Sequence, residues 1–327
     1  MSGIVGHITY AILASEEAAR RELSVAALIR RHYASYLAGA YLGCDIQTLP
    51  ASVCEDTGEE VGYGAGHLER SPITGGATRR WTLELDGSHY SPRAIHGMFY
   101  GRSHLTFGWT EDDTRHALPW KDLSGYFAAV LADVHDLFDS DERQITYVLG
   151  WITHVIGDAL IKGVRPDISL HLLDGRYTPR NRPIQDLISF HEVGRKELGL
   201  DWPRLMHDLV NTPVEPVQLH YMRVSEPRGR LAELHGDAWA LEDEPLLRQT
   251  LVANRRYQRV RNGRLLRELA LTETSSGREC GETMSKTAGG LRYGEMLELA
   301  EAADFRGALS GIADAIADMF EQVEQYR

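Results

Sequence analysis

The stretch Gly150-Trp151-Ile152-Thr153-His154-Val155-Ile156-Gly157-Asp158 sets an imidazole and a carboxylate four residues apart. On a helix, residues i and i+4 share one face a turn apart, so His154 and Asp158 stand together, with Trp151 on the same side. A neutral imidazole and a carboxylate at that spacing can grip one metal ion from a rigid element. The same pair also fits a plain His–Asp hydrogen bond inside a packed helix. Gly6-His7 places a second imidazole on an apolar N-terminal helix, where a core or boundary histidine is the simpler reading. Ala38-Gly39-Ala40-Tyr41-Leu42-Gly43-Cys44-Asp45-Ile46 combines small residues, which let helices approach closely, with Asp45 at the exit, as a functional carboxylate or as a turn residue.

The elements that position these residues are mostly helical. The sequence predicts a helix over 3–14 and one or two helices over 16–40, with Ser15 as N-cap of the latter stretch. Further helices fall over 120–138 and 141–162, the latter capped by Ser140 and carrying Ile145, Leu149, Ile152 and Ile156 as its core stripe. Helices over 184–198, about 203–211, 242–271, 291–303 and 305–325 complete the set, with a weak point at Asn262-Gly263. Residues 212–240 are mixed, and residues 272–290 have the Ser/Thr/Gly composition of a linker. Residues 46–119 are rich in glycine, with one strand expected before an Asp86-Gly87 turn and little other regular structure. They hold His67, His89, His96, His104 and His116. The expected organisation is a metal-binding helical domain over 1–211 and a helical extension over 212–327 packed on it, with a single domain as the alternative.

Composition bounds the function. The 327 residues carry a net charge of −12, which argues against nucleic acid as the default partner. Fourteen histidines stand against only four lysines, so arginine carries the basic charge. Three cysteines are too few for a disulfide framework or a cysteine zinc ribbon, and Cys44 could pair with Cys54 only in an oxidising compartment. No apolar run is long enough to span a membrane and no secretory signal opens the chain, so the expected location is the cytoplasm.

The combination of an early His7, the small-residue helix ending in Leu42-Gly43-Cys44-Asp45-Ile46, loop histidines, and Leu149-Gly150-Trp151-Ile152-Thr153-His154-Val155-Ile156-Gly157-Asp158-Ala159-Leu160 resembles the zinc-dependent phospholipase C superfamily, which includes the single-strand-specific zinc nucleases. The resemblance covers about residues 3–197. It implies a mainly α fold, a multi-helix phospholipase C-like bundle, with 46–119 as a long Gly-rich insertion and the last third as a C-terminal extension. It implies a zinc site of two ions, or three, with His7, His154 and Asp158 as ligands, Asp158 bridging, and Asp45 as a ligand or general base. A loop histidine joins them, His104 before His96, with His89 third. The further family site matches only in part: Lys162 stands near the expected histidine, and His191 is followed four residues later by Arg195. Glu192, Glu197 or His171 would have to substitute, so two ions fit better than three.

Such a site would activate water and neutralise a phosphodiester, giving a hydrolase of a small-molecule or lipid-like phosphoester, with Arg102 and Arg182 as candidate phosphate holders. Iron or manganese would suit the same donors. An HD-type or di-iron metalloenzyme is the alternative, from His207-Asp208, although His135-Asp136 repeats that dipeptide. A non-catalytic scaffold with a degenerate site is the third reading. The run Asn254 to Arg267 holds six arginines, as a contact for RNA, anionic lipid or a partner protein, or as a solvated helix paired with Glu242 to Glu244, Glu321 or Glu324.

Overall fold

A computed structural model describes residues 4–42, 48–62, 67–103, 107–108, 118–161, 172–173, 178–213, 216–218, 243–275 and 277–326. These residues are mainly helical. α1 (Ile4–Arg20) runs unbroken through Ser15, whose hydroxyl donates to the Ile12 carbonyl at 2.7 Å. The expected cap at Ser15 is therefore a residue inside a helix, bonded back to the preceding turn. The chain reverses at Glu22, where φ is 57°, and continues as α2 (Ser24–Arg31) and α3 (Tyr33–Leu42).

The glycine-rich segment holds more structure than its composition predicts. β1 (Ser52–Cys54) pairs antiparallel with β2 (Glu60–Val61) and β3 (Thr78–Arg80). β4 (Leu83–Leu85) and β5 (Ser88–Tyr90) form a hairpin. Its turn needs positive φ at Asp86 and Gly87, 49° and 76°, which the Asp-Gly pair supplies. α4 (Pro92–Ser103) follows, and β6 (Phe107–Gly108) pairs parallel with β7 (Leu118–Pro119).

α5 (Leu123–Leu137) leads to α6 (Glu142–Ile161). Asp141, not Ser140, caps α6: its Oδ1 accepts from the Arg143 amide at 3.0 Å, while the Ser140 hydroxyl bonds His135 Nε2 at 2.9 Å. Every residue of α6 from Gln144 to Asp158 is buried, so the helix has no single core stripe. A helix apolar nearly all round lies inside the protein, and α6 is enclosed by α3, α1 and α5.

α7 (Asn181–Ile188) continues as a π-helical segment, Ser189–Glu197, and α8 (Trp202–Asn211) starts from Asp201, whose side chain accepts from the Arg204 amide. α9 (Asp243–Glu268) passes Asn262-Gly263 without a break. Where the composition predicts a linker, β8 (Leu271–Thr274) and β9 (Gly277–Cys280) form a hairpin and α10 (Glu282–Thr287) follows. α11 (Tyr293–Ala302) and α12 (Phe305–Glu324) end the chain. α12 packs along α1 and also meets α5 and α6, so the last helix closes the same hydrophobic core as the first. No helix among the described residues is long and apolar enough to cross a membrane.

Candidate functional site

Three glycines set the geometry around the α6 motif. A Cβ on Gly150 would stand 2.0 Å from the Tyr36 carbonyl oxygen, and one on Gly39 would stand 2.0 Å from the Tyr147 carbonyl oxygen. The α3 and α6 backbones therefore touch, which only glycine permits. On the α1 side, the Tyr10 ring lies where a Gly157 side chain would be. The small-residue pattern in α3 is thus the device that lets α6 sit at the centre.

That close approach brings the Ala40 carbonyl to His154, whose Nδ1–H donates to it at 2.8 Å. With the proton on Nδ1, the lone pair is on Nε2, the arrangement that metal-binding histidines use, since the far ring nitrogen is held by a backbone carbonyl. His7 stacks on His154 with ring centroids 3.9 Å apart and planes 12° from parallel. His7 Nε2 stands 3.9 Å from Asp158 Oδ1, and His7 Nδ1 is hydrogen-bonded to the Tyr10 hydroxyl. All three side chains are buried, at 6%, 1% and 4% exposure for His7, His154 and Asp158. Enclosing two imidazoles and a carboxylate is costly unless they bond one another or hold a cation.

These three expected ligands come together. Asp45, His104, Lys162 and His171 lie outside the described residues. His96 is on the exposed side of α4, and His89 is exposed on the β4–β5 hairpin. Among the described residues, no group of three or more His, Cys, Asp or Glu side chains is placed to hold a metal ion.

His191 has a different setting. Its Nε2–H donates to the Leu269 carbonyl at 2.7 Å, and its ring meets Phe190 and Tyr293 edge-on. Burial pushes its pKa below the ordinary histidine value. Glu192 accepts from the Tyr293 hydroxyl at 2.9 Å, from Arg278 at 3.1 Å and from Lys196 at 3.1 Å, while Glu197 is clasped by Arg306. His207-Asp208 and His135-Asp136 are exposed pairs on α8 and α5, with ring nitrogens 3.3 Å and 3.4 Å from the neighbouring carboxylates. Cys54 is a buried free thiol in β1.

Two arginines of the α9 run find acidic partners in the glycine-rich segment, while the expected partner Glu242 lies outside the described residues. Arg256 bonds Glu60, Arg264 bonds Glu59, and the Tyr257 hydroxyl donates to the Gly62 carbonyl. The α9 helix is a clamp on the glycine-rich segment. Its inner face carries Thr250, Asn254, Gln258 and Asn262, all buried and four residues apart, and the Tyr41 hydroxyl donates to Asn262 Oδ1 at 2.9 Å. This polar stripe has a period of four in the sequence, but the neighbouring arginines mask it. It ties α9 to α3 one residue beyond the carbonyl that orients His154.

No family model matches the chain, and neither a curated protein nor a solved structure matches it.

Proposed function

We propose that the chain is a metal-dependent hydrolase of a phosphoester, centred on His7, His154 and Asp158. The supporting observation is the convergence of these side chains from α1 and α6 in the protein interior, with His154 fixed by the Ala40 carbonyl. The donors suit zinc first, with two ions, and iron or manganese by the same ligand chemistry. Asp45 and a loop histidine, His104 or His96, complete the proposed set. When bound, the ions lower the pKa of water to about 7 and neutralise phosphoryl oxygens. His154 keeps its tautomer through Ala40, Asp158 contributes the negative charge, and Asp45, where it is not itself a ligand, would accept the proton of the attacking water. The fold proposed for this chemistry is the phospholipase C-like helical bundle, and the substrate a small or lipid-like phosphoester.

A second reading, a non-catalytic scaffold with a partial site, draws on Glu192 and Glu197, which arginine and lysine side chains hold. Elemental analysis separates the two. Protein purified without added metal should carry about one equivalent or more of a transition metal, as folding-coupled sites do. Asp158→Ala should release most of it and abolish cleavage of a generic phosphodiester, whereas His207→Ala should change neither. Metal below one equivalent sinks the hydrolase reading, and metal retained by Asp158→Ala places the site elsewhere.

A further inference from the structure

The chain carries a net charge of −12, yet one cleft among the described residues collects several arginines. A cleft of about 640 Å³ opens between α9, α7 and α10, within the size range of small-molecule sites. Arg261, Arg264 and Arg267 line it from α9 at intervals of three residues, and Arg182 lines it from α7. Among the described residues, Asp186 and Glu268 are the carboxylates in the lining, so four guanidiniums face two acids there. Arg264 is also held by Glu59, and Arg182 Nε donates to Asp186 Oδ2 at 3.4 Å. Arg267 is exposed and has no acidic partner among the described residues.

Asp186 is the unusual member. It is 2% exposed, and its Oδ1 accepts no hydrogen bond among the described residues. Burial raises its pKa against the opposing pull of Arg182 and Arg261. A buried acceptor in the wall of a cavity calls for a donor from whatever enters.

We infer that this cleft binds a small phosphorylated polyol, its phosphate against Arg261 and Arg267 and one hydroxyl donating to Asp186 Oδ1. Guanidinium forks match phosphate oxygens in pairs, which explains the cationic side. A bare inorganic anion would answer the arginines and leave the Asp186 acceptor unmet, whereas a sugar phosphate answers both. An extended nucleic acid strand fits the charge less well. Arg256 and Arg259 of the same run bond Glu60 and Asn211, so the charge is collected in a pocket instead of along a stripe. The inference does not depend on the hydrolase reading, because His7, His154 and Asp158 are not in this lining.

Isothermal titration of the full chain as purified, with ribose 5-phosphate and inorganic phosphate as probes, tests it. Ribose 5-phosphate should saturate one site and bind about tenfold more tightly than inorganic phosphate, the difference a hydrogen bond to a charged group makes. Arg267→Gln, an exposed position whose change leaves the fold intact, should weaken ribose 5-phosphate about tenfold, and Arg261→Gln should do the same. Arg256→Gln, outside the lining, should bind as the wild type does. Absence of saturable heat, equal affinity for the two probes, or unchanged affinity in Arg267→Gln overturns the inference. So does a single-stranded RNA oligonucleotide that binds more tightly than ribose 5-phosphate and is weakened as much by Arg256→Gln as by Arg267→Gln.

Discussion

Two seams hold the central helix and the glycine-rich segment, and they are built in opposite ways. Between α3 and α6, glycines remove side chains altogether, and main chain meets main chain. Between α9 and the segment around Glu59 and Glu60, long arginine and tyrosine side chains span the gap. The first seam admits no adjustment, so it can fix a buried imidazole to one carbonyl. The second can shift by changing rotamers, so it suits the wall of a cleft. Each carries a cost: close packing forbids most side chains, and bridging arginines lose rotamer freedom.

The sharpest way to break this contrast is at Gly150. Gly150→Ala places a methyl group against the Tyr36 carbonyl and the Ala40 amide, and overpacking of that kind costs about 3 kcal/mol. Gly97→Ala in α4, where a Cβ meets nothing, should instead stabilise by about 0.5–1 kcal/mol. Urea denaturation midpoints compare the two, and a Gly150→Ala protein as stable as the wild type would mean the helices do not touch.

An intermediate case is the seam between α1 and α12. Arg21 joins Glu17 to Asp318, at 2.5 Å in each bond. Hydrogen bonds from Arg20 and then Arg21 hold the Glu17 carboxyl at about 2, below its usual value of 4.5. A carboxylate with a depressed folded-state pKa contributes stability that is complete above the unfolded value and lost as pH falls through the folded one. Stability should therefore decline between about pH 4.5 and 2, and Glu17→Gln should flatten that limb while the neutral-pH difference persists. An acid limb of unchanged slope in the variant would remove Glu17 from the account.

The smallest effect belongs to the arginine seam. Arg256 is 60% exposed in its bond to Glu60, so Arg256→Gln should cost less than about 1 kcal/mol, and less at high salt. A larger, salt-independent loss by the same denaturation measurement would make this bridge a packing contact.

Much of the helical framework is legible in the sequence because local signals agree with it. Pro203 marks the start of α8, and the apolar spacing of the last two helices matches α11 and α12. Ser15 and Ser140 mislead because a serine before a helical run resembles a cap whether it ends one helix or lies inside another. The 272–290 segment misleads because a two-stranded hairpin and a short helix need no apolar run when they rest on a larger body. At the candidate site, the i, i+4 spacing alone makes His154 and Asp158 neighbours, whereas the contact of His7 with both depends on how α1 lies across α6.

Residue chemistry and spacing follow from the order of amino acids: a helix carrying imidazole and carboxylate on one face, a small-residue helix before it, and an arginine run against an acidic background. Which of these meet follows from how the helices pack. His154 is oriented by Ala40, more than a hundred residues earlier, because Gly39 and Gly150 let two backbones touch. The arginines divide between a clamp and a cleft because Glu59, Glu60 and Asp186 arrive from other parts of the chain. Spacing within a helix is fixed by its geometry, but contact between helices depends on packing, which no short window of residues contains.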